Sequence, residues 1–397
     1  MTRLANWITG GTALFILLLW GAITWNGGQG SGAIPGIEAE TERLIAGKSD
    51  FASLVAHGVL AVLLNAPVML VFGGFGPPSG LLLAAGLAAL LIGRFAEMLS
   101  RAGHGPATVA GAALIAALNP LTLHTVASGP TAALLACGCA WLAVCLIRLA
   151  ERGELTDIIL TGFALAFPLL AHPAGVIATA AALPAAVVCA PRHLLNRSVP
   201  GTFIAVAFPA GFVVLSNAVL GWIFASGRNA GEDMRQTLLP QTVMPSPEPA
   251  TAMDLPFRLV ECASEALLML PVCIIAAIAL HPKRAAWPLF ALASIPALAA
   301  ILAAIIGRNE TILRWGGEPM TLLAPLVALS FAAIAMLARA GLRPATTIAA
   351  LLLCLLGGAV AALIRPVDTA ADTTIRDIAN RDIANKEGST LHAHSRR

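Results

Sequence analysis

The sequence predicts an all-α, polytopic integral membrane protein, and three observations carry that reading. Hydrophobic residues make up 58% of the 397-residue chain and charged residues only 11%, with a mean hydropathy of +0.84. A soluble chain of this size lacks the polar surface to cover so much apolar material. Several apolar runs exceed the ~20 residues that cross a bilayer core. These runs are continuous and rich in Ala and Leu, without the alternation over about ten residues that marks barrel strands. The net charge of +3 is spread over short loops, and the sequence has no tyrosine and no long basic stretch, so a nucleic-acid partner is not expected.

In chain order the expected spans are 7–25, 79–98, 105–127, 130–147, 158–171, 173–190, 199–226, 257–280, 286–307, 319–338 and 345–364, about 11 in all. The first, from Trp7 to Trp25, is too long for a signal h-region and lacks an Ala-x-Ala exit, so it reads as a retained anchor. The 7 cysteines fall in or beside apolar runs, and Cys137-Gly138-Cys139 lacks the two-residue gap of a zinc or redox pair. They read as small packing residues, and no metal site is expected from them.

A further apolar segment, 53–74, is not counted as a span. If it stays on one side, the inside connections carry Arg3, Arg94 and Arg101, Arg148 and Arg152, Arg192 and Arg197, Lys283 and Arg284, and Arg339 and Arg343. Every short inside loop then has its Lys or Arg, as the positive-inside rule requires. If the segment crosses, five basic connections move outside. The segment is also interrupted by His57, Asn65 and Pro67, residues tolerated at depth only against protein or water. The expected arrangement is N-terminus in and C-terminus out, with 53–74 interfacial or re-entrant on the outer side. Residues 1–364 form a single helical membrane domain with outer loops at 26–52, 227–255 and 308–318, and 365–397 is a polar, disordered tail.

Chemistry concentrates in the first outer loop. After a Gly/Ser stretch to Gly36 come Glu38, Glu40, Glu42, Arg43, Lys48 and Asp50, with helix-favouring composition from Glu38 to Ala46. As ordinary juxtamembrane sequence this is a solvated helix with negative charge near its N-terminus. A segment of only 14 residues, Ile158–Ala171, spans ~21 Å of helix and would leave the His172-Pro173 turn below the outer surface. On the same side Arg308 and Arg314 flank a short loop beside Trp315.

The order of acidic loop, histidine and apolar surface segment resembles the membrane-embedded GT-C glycosyltransferases. Glu38-Ala39-Glu40 takes the place of the family's acidic motif. "HGVLAVLLNAPVMLVFG", His57 to Gly73, looks like its histidine-to-Phe-Gly segment, and "RNETILRWGGEPMTLLAPLVAL", Arg308 to Leu329, like its arginine-bearing loop. The chain departs from the pattern in lacking prolines just after His57 and an arginine at the opening of the next span.

What the resemblance implies is transfer of a sugar from a polyprenyl-phosphate carrier to a glycan or lipid acceptor on the outer face of a bacterial inner membrane. Glu38 or Glu40 would then be the catalytic carboxylate, His57 and His172 would contact substrate, and Arg308 and Arg314 would hold phosphate. A divalent cation is the one cofactor it leaves open. A carboxylate in a partly desolvated cleft suits removal of an acceptor proton, and arginines suit a departing phosphate.

Two other classes fit the composition. A transporter or lipid-carrier flippase would work through mid-depth polar residues: Asn119, His124, Asn217 and Glu265. The sequence carries no hydropathy repeat to support that reading. A non-catalytic membrane assembly protein would need none of these side chains.

Overall fold

Long Ala/Leu runs punctuated by Pro and Gly set where the helices of this chain stop and how closely they approach. A computed structural model describes residues 2–26, 33–49, 51–73, 77–172, 175–190 and 198–224, with isolated positions beyond. The described residues form α-helices and no strand. The expected spans from 257 onward, Glu265, Arg308, Arg314, the loops 227–255 and 308–318 and the tail 365–397 lie outside them.

The helices are α1 (Thr2–Asn26), α2 (Ala33–Ile45), α3 (Phe51–His57), α4 (Val59–Phe72), α5 (Ser79–Arg101) and α6 (Pro106–Ala117). They continue with α7 (Pro120–Ala127), α8 (Pro130–Glu151), α9 (Leu155–Ala171), α10 (Gly175–Cys189) and α11 (Val199–Phe224). Three stretches, Ser79–Arg101, Pro130–Glu151 and Val199–Asn217, are long and apolar enough to cross a membrane.

Small residues let the long helices touch. At Gly138 of α8 an added methyl would meet the Phe167 ring at 2.6 Å, and at Gly162 of α9 the Pro209 ring at 2.8 Å. Close approach over small side chains is the usual packing device between helices in lipid. Gly21 near the end of α1 faces Leu81 near the start of α5, so those two helices run antiparallel. Gly80 faces Pro130, and one helical interval further on the Cys137 thiol donates to the Leu87 carbonyl at 3.6 Å, so α5 and α8 run side by side in the same direction. Cys139, Cys145 and Cys189 are unbonded and buried, packing as small apolar residues.

Among the differences from the sequence expectation, three have a clear local cause. The span 105–127 is a broken helix, interrupted at Leu118-Asn119 between α6 and α7. Pro120 supplies no N–H to the preceding turn and disfavours helical backbone at Asn119, which is reason enough for the break. The helix α9 begins at Leu155, ahead of the expected 158, because Glu154 and Asp157 close a capping box in which the Glu154 N–H donates to Asp157 Oδ2 at 3.3 Å. At 17 residues it is ~26 Å long, still under the ~30 Å hydrocarbon core. Finally, α2 begins at Ala33, within the expected Gly/Ser stretch, since Ile34 and Ile37 are both buried and anchor its first turns.

The segment 53–74 forms most of α3 and all of α4, joined by Gly58 at φ 82°. A methyl on Gly58 would lie 2.7 Å from the Ala171 carbonyl oxygen and 3.2 Å from Thr131. A methyl on Gly80, just past the segment, would lie 3.6 Å from Pro130. Pro130 and Thr131 are neighbours, so the segment leaves from and returns to one end of the bundle. There α2, α3 and α4 pack on one another as a cap over the starts of α5 and α8 and the end of α9.

Candidate functional site

Residues two apart on a helix point to nearly opposite sides, and α2 uses this to separate its two inner acids. Glu38 turns toward the start of α5, where the Ser79 hydroxyl donates to its Oε1 at 3.2 Å. Glu40 turns toward α3 and is 1% exposed. Its Oε1 accepts a short hydrogen bond from Ser49, and its Oε2 accepts from Ser53 at 2.6 Å and lies 3.5 Å from Arg43. Glu42 points to solvent.

Electrostatics keep the Glu40 carboxylate ionised. Burial works to raise its pKa, but the hydrogen bonds from Ser49 and Ser53 and the charges of His57 and Arg43 outweigh that, and the value falls below the ordinary 4.5. Arg43 is largely exposed, so its pairing adds little to stability. The fixed element is the buried carboxylate with its two hydroxyl donors.

His57 completes the cluster. Its Nδ1–H donates to the Ser53 carbonyl at 2.9 Å, which turns Nε2 toward α2. That Nε2 faces Gly36 of α2, where an added methyl would come within 3.3 Å. Serine 53 therefore links acid to imidazole, giving its hydroxyl proton to Glu40 and its carbonyl to His57. His172 follows Ala171 at the end of α9, and Gly58 follows His57, so the contact between Gly58 and Ala171 brings the two histidine backbones together. Gly58 lies against the end of α9, over the Ala171 carbonyl that precedes His172.

Between the two acids, the Thr41 hydroxyl donates to the Ile37 carbonyl at 2.6 Å and accepts from Asn65 Nδ2 at 3.1 Å. Asn65, in the middle of α4, is fully buried, and its Oδ1 has no hydrogen-bond partner among the described residues. Ser49, Ser53, Ser79 and Thr41 were not singled out from sequence, and Asn65 was read only as an interruption of the 53–74 segment. Hydroxyls meeting a carboxylate across 9, 13 or 41 residues become visible only once the chain has folded. Among the described residues no three His, Cys, Asp or Glu side chains converge as a metal site.

The mid-depth polar residues are elsewhere. In α7, His124 Nε2 lies 3.0 Å from the Ser128 hydroxyl, one turn on. Asn119 at the α6–α7 break is buried, and the buried Thr122 hydroxyl has no partner among the described residues. Asn217 is half-exposed on α11.

No family model, no curated protein and no solved structure matches the chain. Fold and site together define a helical membrane protein whose first loop folds into a polar, carboxylate-bearing cap.

Proposed function

We propose that the chain is a GT-C-like glycosyltransferase that transfers a sugar from a polyprenyl-phosphate carrier to a glycan or lipid acceptor at the outer face of a bacterial inner membrane. The observation that carries this reading is the folding of the acidic first loop and the 53–74 segment into one cap on one end of the bundle. That arrangement holds carboxylates at a lipid surface, where a lipid-borne substrate is presented.

The two acids take different roles. Glu38 is part-exposed and held by a single serine, so it is the carboxylate placed to accept an acceptor proton. Glu40 is engaged on both oxygens and serves as a positioning residue for α3 and His57. Arg308 and Arg314 hold the carrier phosphate. Replacing each acid separately by its amide in a cell-based glycan assay tests the assignment. Glu38→Gln is expected to abolish product at wild-type levels of folded protein, while Glu40→Gln lowers product only in proportion to the folded protein lost. Full product from Glu38→Gln removes the enzymatic reading.

A second reading, transport of a lipid-linked or soluble substrate, is favoured by the broken helix α6–α7 with its buried Asn119 and Thr122. Loss of function on Asn119→Ala and Glu265→Gln, with Glu38→Gln silent, would select it.

A further inference from the structure

At the opposite end of α5 and α8 from the cap lies a groove of about 340 Å³, within the size range of ligand sites. Its walls are apolar, formed chiefly by Leu90, Met98, Trp141 and Val144. Its end is basic: Arg94, Arg101 and Arg148 all line it and are exposed, against the one carboxylate of Glu97. Glu97 accepts from Arg94 at 2.9 Å and from Arg101 at 2.5 Å, so it fixes two guanidiniums at the rim and neutralises only one of them.

The groove's length sets its occupant. Because α5 and α8 run in the same direction, its two edges, Leu90–Arg101 and Cys137–Arg148, each cover about 16 Å at 1.5 Å per residue. That is half of the ~30 Å hydrocarbon core, the depth of one leaflet. Arg94, Glu97 and Arg101 occupy the last ~10 Å of the α5 edge, so the apolar part is the ~6–10 Å between Leu90–Arg94 and Cys137–Val144, which matches the upper part of one acyl chain beneath an anionic headgroup. Basic pockets between spans are the kind that hold anionic lipid headgroups. We infer that this groove binds an anionic glycerophospholipid of the leaflet at the arginine-bearing end, with an acyl chain against Trp141 and the phosphate between Arg148 and the Glu97-braced pair. The inference needs α5 and α8 to span the membrane but does not depend on the enzymatic reading.

Trp141 is itself the reporter. The full chain is reconstituted into phosphatidylcholine vesicles in which a fixed fraction of lipid carries a brominated acyl chain on either phosphatidylglycerol or phosphatidylcholine. The Trp141 signal is the difference between the chain and its Trp141→Phe variant. Brominated phosphatidylglycerol is expected to quench that signal at least twofold more than brominated phosphatidylcholine. Arg148→Gln should lower this preference, and Ala140→Phe, which fills the groove, should abolish it with helicity unchanged. Equal quenching by the two lipids, or a preference intact in both variants, overturns the inference. So does reversal of the quenching by a trace of unbrominated polyprenyl phosphate, which would assign the groove to the carrier.

Discussion

The Glu40 carboxylate shows how much of this site rests on single residues. Buried and ionised, it is stable only while Ser49 and Ser53 donate to it, and hydrogen bonds to a charged group contribute ~1.5–3 kcal/mol each. Ser53→Ala is therefore expected to lower the thermal midpoint of the detergent-purified protein, and Glu40→Ala more so, since it removes the acceptor of both part-buried serine hydroxyls. The pH dependence follows from the same group. With the folded pKa below 4.5, the carboxylate's contribution is complete above that value and is lost as pH falls through the depressed one. Midpoints measured from about pH 6 to about pH 3 should fall more steeply for the wild-type chain than for Glu40→Gln. Parallel curves would place the acid sensitivity elsewhere. The sequence displayed the acids and His57 but not which acid is engaged, because that choice is made by serines distant along the chain.

At the scale of elements, the α3–α4 turn and the α6–α7 break decide the architecture. Gly58 combines a left-handed φ with a close approach to the Ala171 carbonyl. Gly58→Ala is expected to cost ~1–2 kcal/mol in backbone conformation alone, with the clash against Ala171 in addition. The visible outcome is a lowered thermal midpoint and faster proteolysis at the cap, whereas Gly111→Ala, in open space within α6, should bring neither. Runs such as Ser79–Arg101 and Pro130–Glu151 were legible as helices because unbroken apolar length is a strong signal. The break at Asn119 was written in the sequence as Asn-Pro, yet hydropathy does not fall there, and a window that averages apolarity passes over it. Likewise α9 starts where Glu154 and Asp157 cap it, three residues before its apolar run begins.

Across the whole molecule, charge and packing point to one arrangement. Arginines gather where α5 and α8 end, and carboxylates, serines and histidines gather at the cap where those helices begin. On the positive-inside rule the first end is expected in the cytoplasm and the cap outside. The central claim is that the segment between the acids and α5 stays on the cap's side of the membrane. Single cysteines at Lys48, Pro77 and Gly105, in an otherwise cysteine-free chain, test it with an impermeant thiol reagent on intact cells. Labelling of the Lys48 and Pro77 positions without permeabilisation, and of Gly105 only after it, is the predicted result. Labelling of Lys48 and Pro77 from opposite sides would mean that α4 crosses, and would contradict the account.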